Sequence, residues 1–391
     1  MCYEEGIGQN VYVGTFFIGD SKFSVYDEMS RQLRRMGWKC VKKSQLTSCD
    51  FVLGDRFAIP YHLLRCESLP AHSFFHGTRW INYFQGSHKI TLKASMTEIL
   101  RQADSTHTEW LPRSFVLGGD PEKVCDERAL FADSAIRDPS ALWIIKPSSG
   151  GKGQDILLIR STEVVKFVET LKPTSKRRYV AQLYVDRPLL VSQNRKFDIR
   201  VWVLLISPNY TIFAFSKGCC RTASSAYNLS DLTNVSSHLT NHCLQDGHLD
   251  DGEYEVSNEI SFDKIELYAK KEMNVESLLG CILPQMTNII VRSLLAVKTQ
   301  LEVSENEQFR CFQLLGYDFI VDVNFRVWLL EINGSPGVAE RYLEELVQKM
   351  QGVLTRTKSA AYPESSIWDV NKSEFVELWR EGYPLPEGLI L

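Results

Sequence analysis

The segment DFIVDVNFRVWLLEINGSPG, Asp318 to Gly337, constrains the fold more tightly than any other stretch of the chain. Two apolar runs flank a short turn, the pattern of an antiparallel hairpin. Side chains alternate faces along a strand. With the turn centred on Asn324 and Phe325, Asp318 stands directly opposite Glu331. Asp318, Ile320, Leu329, Glu331 and Asn333 then share one face. Phe319, Val321, Trp328, Leu330 and Ile332 share the other, wholly apolar face, which has to sit on a core. Opposed like charges cost up to about 1 kcal/mol, so the acidic face needs compensation. Solvent at a sheet edge, a Lys or Arg partner, or a divalent cation would each supply it. Two carboxylates and an amide oxygen are hard ligands of the Mg²⁺ type, and Mg²⁺ is usually shared with substrate phosphates.

Three further segments carry chemistry. In NRKFDIRVWVLL (194–205), Lys196, Asp198 and Arg200 alternate with Phe197, Ile199, Val201 and Val203. One face is charged and the other belongs in a core. Arg forks onto phosphates, and Asp accepts from hydroxyls. In WIIKPSSGGKGQDI (143–156), a buried strand ends at Lys146, followed by Gly150, Gly151 and Gly153 around Lys152. Glycines let backbone N–H groups approach a phosphate. Lys152 precedes Gly153 rather than Ser or Thr, so this is not a Walker A loop. HLTNHC (238–243) brings His238, Thr240, Asn241 and His242 into a polar stretch, and Arg221 follows Gly218 as an isolated cation. No Cys/His set with zinc spacing completes a metal site there. A nucleophile elbow and a dinucleotide fingerprint are also absent.

Composition sets outer bounds. A chain of 391 residues is too long for one ordinary core. With 44% hydrophobic and 24% charged residues it reads as folded and soluble. A net charge of −4 exerts no global pull on nucleic acid. The first residues, MCYEEGIGQN, have no apolar signal core, and no apolar run reaches the roughly 20 residues of a membrane span. Ten cysteines without a C-x-x-C pair fit reduced thiols. The expectation is a cytoplasmic protein with neither membrane nor nucleic-acid partner. Helices are expected over 24–37, 275–302, broken early by Pro284, and 338–351; strands over 11–19, 141–147, 179–185 and 196–206. Six cations and no acid between Arg31 and Lys43 form either a solvated face or a landing patch for an acidic partner.

The segments SVYDEMSRQL, GDRFAIPYHLL, INYFQGSHKITLKASM, WIIKPSSGGKGQDI, AQLYVDRPLL, RKFDIRVWVLL, HLTNHCLQ, FQLLGYDFIVD and VWLLEINGSPG, in this order over roughly residues 23 to 350, resemble the tubulin tyrosine ligase-like family of ATP-grasp ligases. The resemblance implies an α/β (α+β) ATP-grasp fold. A small N-terminal α/β domain (1–76) would precede a central domain (77–182) and a C-terminal domain with the hairpin (183–391). It implies ATP between two sheets, with Lys93, Lys146 and Lys152 near phosphates and Gln182, Leu183 and Val185 framing adenine. Lys196 and Asp198 would lie on the ribose side, and Thr240 and Asn241 along the pocket. Asp318, Glu331 and Asn333 would hold Mg²⁺, with K⁺ as an additional candidate ion. Arg200, Arg221, Glu331 and Lys146 are the implied catalytic residues.

The implied activity is ATP-dependent ligation of free L-tyrosine to the C-terminal glutamate of α-tubulin through an acyl phosphate. The protein would act as a monomer on one αβ-tubulin dimer. HLTNHC and the N-terminal motifs resemble the tyrosine-adding members most, although Leu183 stands where those have Lys. A glutamate or glycine ligase of the same family, or a non-catalytic tubulin-binding relative, are the alternatives. The Arg31–Lys43 cluster and Arg56 are the expected tubulin contacts.

Overall fold

The computed structural model describes residues 13–19, 22, 24–71, 73–75, 77–119, 126–150, 153–171, 177–240, 255, 258–301, 309–355 and 368–385. The N-terminal portion contributes β1 (Thr15–Ile18), α1 (Ser24–Arg35), β2 (Lys39–Cys40), β3 (Phe51–Leu53) and β4 (Arg79–Asn82). The four strands pair in parallel in the order β4-β3-β1-β2. All three of β1, β3 and β4 are short; β3 is wholly apolar and buried, and β4 buries Arg79 and Asn82 along with Trp80 and Ile81. α1 buries Val25, Met29 and Leu33, the spacing legible in the sequence.

Next come α2 (Lys93–Ala103), β5 (Ser114–Leu117), α3 (Arg128–Arg137), β6 (Leu142–Pro147), β7 (Leu157–Arg160), α4 (Ser161–Thr170) and β8 (Tyr179–Leu183). The strands form an antiparallel sheet in the order β5-β8-β6-β7. Alternation divides it cleanly. Trp143, Ile145 and Ala181 join Phe131, Ala135 and Val164 under α3 and α4. Ile144, Lys146 and Gln182 point the other way, into a cleft.

The remaining strands are β9 (Leu190–Val191), β10 (Arg195–Ile206), β11 (Thr211–Phe215), β12 (Cys219–Ala226), β13 (Glu259–Ser261), β14 (Phe309–Val321), β15 (Val327–Asn333) and β16 (Phe375–Trp379). They complete a twelve-stranded sheet with β1–β4. Its axis is the long antiparallel pairing of β10 with β14, from Ile199 opposite Phe319 to Ile206 opposite Phe312. The far edge of β14 is shared: Phe309–Phe312 pair with β4, and Gly316–Val321 pair with β15. The sheet therefore joins strands from the first 82 residues to strands from 190 onward. β10 alternates between two cores. Phe197, Ile199, Val201, Val203 and Leu205 meet α5 (Leu278–Val297). Trp202, Leu204 and Ile206 meet α1 and α6 (Glu340–Thr355).

Two expectations change. Pro284 does not break α5, which runs continuously from Leu278 with Ser277 capping its N-terminus through Gly280 N (3.0 Å). Burial of Leu278, Leu279, Ile282, Leu283 and Met286 holds the helix through the proline. Leu278–Gln300 has the length and apolar composition of a membrane-crossing helix, yet its apolar side packs into the core. Cys40, Cys49, Cys66, Cys219, Cys220 and Cys281 form no disulfide.

An interior helical proline costs about 3 kcal/mol, against about 1 kcal/mol for its restriction of the unfolded chain. Pro284 is exposed, so removing its ring empties no core space. Pro284→Ala is thus expected to stabilise the protein by about 1–2 kcal/mol, seen as a higher urea midpoint at unchanged slope. A lower midpoint would show that the ring itself is needed.

Candidate active site

The inner face of the small sheet and the charged end of the large one enclose a cleft with an empty volume of about 840 Å³, open at its mouth. β6 contributes Ile144 and Lys146, and β8 with its continuation contributes Gln182 to Val185. From the opposite side come Lys196 and Asp198 on β10, Arg221 on β12, and Asp318, Ile320, Leu330 and Glu331 on the hairpin. β10 supplies its charges by the same alternation that builds the cores. Lys196 and Asp198 face the cleft, Arg200 reaches it through Asp318, and the next even residue, Trp202, re-enters a core.

The acids of the hairpin are answered by cations. β14 and β15 place Asp318 opposite Glu331, and β10 and β14 place Arg200 opposite Asp318. Arg200 forks onto Asp318, with Nη2 donating to Oδ2 at 2.9 Å and Nε to Oδ1. Arg221 forks onto Asp198 at 2.7 and 2.6 Å and also reaches Asp318 at 3.1 Å. Thr240 donates its hydroxyl to Asp198 (2.6 Å). Lys93, at the start of α2, pairs with Glu331 (2.8 Å). The Asn333 amide donates to Asp318 (3.1 Å) and Glu331 (3.2 Å). Lys146 donates to Gln182 (2.7 Å) and Lys196 to the Tyr184 hydroxyl (2.8 Å). Lys and Arg pairing, one of the compensations open from sequence, is present.

Five cations (Lys93, Lys146, Lys196, Arg200, Arg221) meet three carboxylates (Asp198, Asp318, Glu331), which leaves the cleft formally positive. The imbalance shows in the titration of its members. Burial pushes Lys146 down to about 8 against the pull of Glu331, and burial with the nearby Lys146 charge pushes Lys196 down to about 7. Burial would raise the Glu331 carboxyl, but Lys93 and Lys146 outweigh it and hold it far below the usual range. Burial drives Asp318 up against Arg200 and Arg221. Because Arg200 keeps its proton at any accessible pH, the forked contact holds Asp318 ionised. An apolar slot of Ile144, Ile156, Leu239, Ile320 and Leu330 lies beside this cationic cluster.

Most residues proposed from sequence converge here: Lys93, Lys146, Gln182, Leu183, Val185, Lys196, Asp198, Arg221, Thr240, Asp318 and Glu331 line the cleft. Arg200 and Asn333 touch it through Asp318. Lys152 and Asn241 lie outside the described residues. The hairpin needs one correction. A bulge between Asp318 and Phe319 shifts the register, so Phe319 pairs with Leu329 and Val321 with Val327. Leu329 and Val327 therefore enter the core, whereas Leu330 joins Glu331 in the cleft. Alternation assumed without a bulge had assigned Leu329 and Leu330 to the opposite faces. Tyr184 was overlooked, although it sits between Leu183 and Val185.

The family model of the tubulin-tyrosine ligase family matches residues 75–365. Tubulin glycylase 3F of Tetrahymena thermophila is 32% identical over 213 residues, 54% of this chain and 23% of that protein. A probable alpha-tubulin polyglutamylase of the same organism is 30% identical over 242 residues, 59% of this chain and 55% of its own length. The chain thus spans little more than half, or about a quarter, of these relatives.

A lysine held down to about 7 binds fewer protons in the native state than in the unfolded chain between that value and the ordinary 10.5. Its contribution to stability therefore rises with pH across this window and is lost as pH falls through 7. The stability advantage of Lys196→Met over the unsubstituted protein is expected to be greatest near pH 6 and to shrink toward pH 10. Urea unfolding at fixed ionic strength measures it, and a difference independent of pH would mean that Lys196 titrates normally.

Proposed function

The chain belongs to the tubulin-tyrosine ligase family, and from that premise we propose that it is an ATP-dependent carboxylate–amine ligase that adds an amino acid to an acidic tubulin tail. The observation that supports this reading best is the positive cleft between two sheets, with an apolar slot beside an acid–amide cluster. The slot suits a purine, and the cations suit a polyphosphate. ATP would supply the phosphoryl group that converts a tail carboxylate into an acyl phosphate open to attack by an amine.

The residues divide the work by position. Gln182, Leu183 and Val185 border the base, and Asp198 with Thr240 offers hydrogen-bonding groups to a ribose. Lys146, Arg200 and Arg221 are placed to offset charge on a transferring phosphoryl group, and such electrostatic stabilisation is usually the largest contribution to catalysis in these reactions. Asp318, Glu331 and Asn333 fit a Mg²⁺ ion by donor chemistry. The Asn333 amide reaches both carboxylates, so three oxygen-bearing groups converge. Bound there, Mg²⁺ would neutralise phosphate charge; the ion pairs of Asp318 and Glu331 keep both acids ionised beforehand.

Two readings of the added amino acid stand. The HLTNHC segment and the N-terminal motifs favour tyrosine, joined to the C-terminal glutamate of α-tubulin. The names of the matched relatives favour glycine or glutamate. Purified protein given labelled tyrosine, glutamate or glycine with ATP, Mg²⁺ and detyrosinated tubulin decides between them. Incorporation of none would leave a non-catalytic tubulin-binding role.

Removing one electrostatic stabiliser commonly costs about 10²–10³ in rate. Glu331→Gln is expected to lower ligation by at least that factor in a protein that still unfolds cooperatively, at a lower midpoint because Lys93 loses its partner. Near-normal turnover would remove Glu331 from the metal set. For tubulin docking, the cluster is sorted by its contacts. Arg31 pairs with Asp27 and Glu28, Arg35 pairs with Glu344, and Arg34 lies over Phe16, whereas Lys39, Lys42 and Lys43 are exposed. Charge reversal at Lys42 and Arg56 should weaken tubulin binding several-fold at low salt and much less at high salt. Binding indifferent to both would place the tubulin surface elsewhere.

A further inference from the structure

One buried network borders the cleft beside the residues placed for phosphoryl transfer. Lys196, Tyr184 and His238 are 6%, 5% and 1% exposed. Lys196 Nζ donates to the Tyr184 hydroxyl (2.8 Å) and lies 4.2 Å from the centre of its ring. The same hydroxyl is 3.1 Å from His238 Nδ1, and His238 Nε2 is 2.9 Å from the Asp231 carbonyl oxygen. The Tyr227 ring packs edge-on against the imidazole (5.6 Å), and its hydroxyl donates to the Asp186 carbonyl (2.8 Å).

The Tyr184 hydroxyl also contacts that of Tyr227, and the imidazole decides which of the two its proton meets. A carbonyl only accepts, so His238 carries its proton on Nε2. Nδ1 of the neutral ring is then an acceptor, and the Tyr184 hydroxyl donates to it. That leaves the Tyr184 oxygen lone pairs to accept from Lys196. The chain of donation runs from Lys196 through Tyr184 and His238 to the backbone at Asp231. Each bond fixes the direction of the next, and no member can rotate alone without stranding a buried polar atom.

We infer that Tyr184 and His238 are positioning residues that hold the Lys196 side-chain nitrogen on the nucleotide, and that they do so only while His238 is neutral. The inference rests on the nucleotide-binding reading of the cleft. Protonated His238 would donate from both nitrogens. Its Nδ1–H would then compete with Lys196 for the Tyr184 oxygen, the Tyr184 proton would turn from the imidazole to the Tyr227 hydroxyl, and the imidazolium charge would repel Lys196. The groups around the imidazole are Lys196 on β10, Tyr184 beyond β8, Tyr227 beyond β12, and Asp231 in the loop before His238. Burial and the Lys196 charge lower the histidine, while the Asp231 carbonyl and carboxylate oppose them. The net effect keeps the ring neutral at physiological pH and places the failure on the acid side.

Mg·ATP binding measured by calorimetry from pH 7.5 to 5 tests this, with unfolding midpoints confirming that each variant folds. At pH 7.5, Tyr184→Phe and His238→Leu should each weaken binding by about tenfold, the scale of a hydrogen bond to a charged group. His238→Asn offers an acceptor oxygen near the Nδ1 position that cannot titrate. It should recover most of the His238→Leu loss, and its acid-side fall in affinity should be smaller than that of the unsubstituted protein. A purely structural role would lower the midpoints without moving the pH profile. Equal binding by Tyr184→Phe, or an acid-side fall in His238→Asn parallel to that of the unsubstituted protein, overturns the inference while the nucleotide reading stands. Failure of the unsubstituted protein to bind Mg·ATP overturns both.

Discussion

Arg200 and Asp318 face each other across the two longest strands of the molecule, and the geometry of the cleft depends on that pairing. β10 and β14 are buried on both faces along most of their length, so their register is fixed by what each face must touch. A slip of one residue would turn every side chain over. Charged groups would enter the core under α5, and Phe197, Ile199 and Phe319 would enter the cleft. Register and charge constellation are therefore the same specification. Gly316, beside this pair, has no room for a side chain: an added Cβ would lie 2.6 Å from Pro336 and 3.4 Å from Arg200.

The cleft is poised rather than neutral. Each carboxylate has a cation, and cations remain in excess at buried positions where their charge is costly. That cost is visible in the depressed lysines, and it is relieved when an anion enters. Such an arrangement favours polyanions before any specific contact is made. The carboxylates keep the surplus small enough for the empty protein to fold.

Much of this was legible in the chain. The facing of Asp318 and Glu331 followed from alternation and a turn, because both are local. The charged face of β10 was equally plain, since charges at three alternate positions between apolar residues mark one polar strand face. Lys93 was reached only through family resemblance, because it arrives from a helix start far away in sequence. The pairing of β4 with β14 was not legible for the same reason: nothing local marks which parallel strand will extend which sheet. Pro284 misled because a local rule was applied where tertiary burial prevails. The bulge escaped notice because one extra residue in an apolar run leaves no compositional trace.

That bulge reaches beyond geometry. By spending one residue on it, β15 offers two consecutive side chains, Leu330 and Glu331, to the same side, which a regular strand cannot do. A wall for a flat apolar ring and a charge for a polyanion thus stand next to each other on one strand. The hairpin is consequently intolerant of length change. Within β15, a single insertion or deletion between Val327 and Leu330 would exchange Glu331 with its apolar neighbour and leave that point of the cleft without its acid.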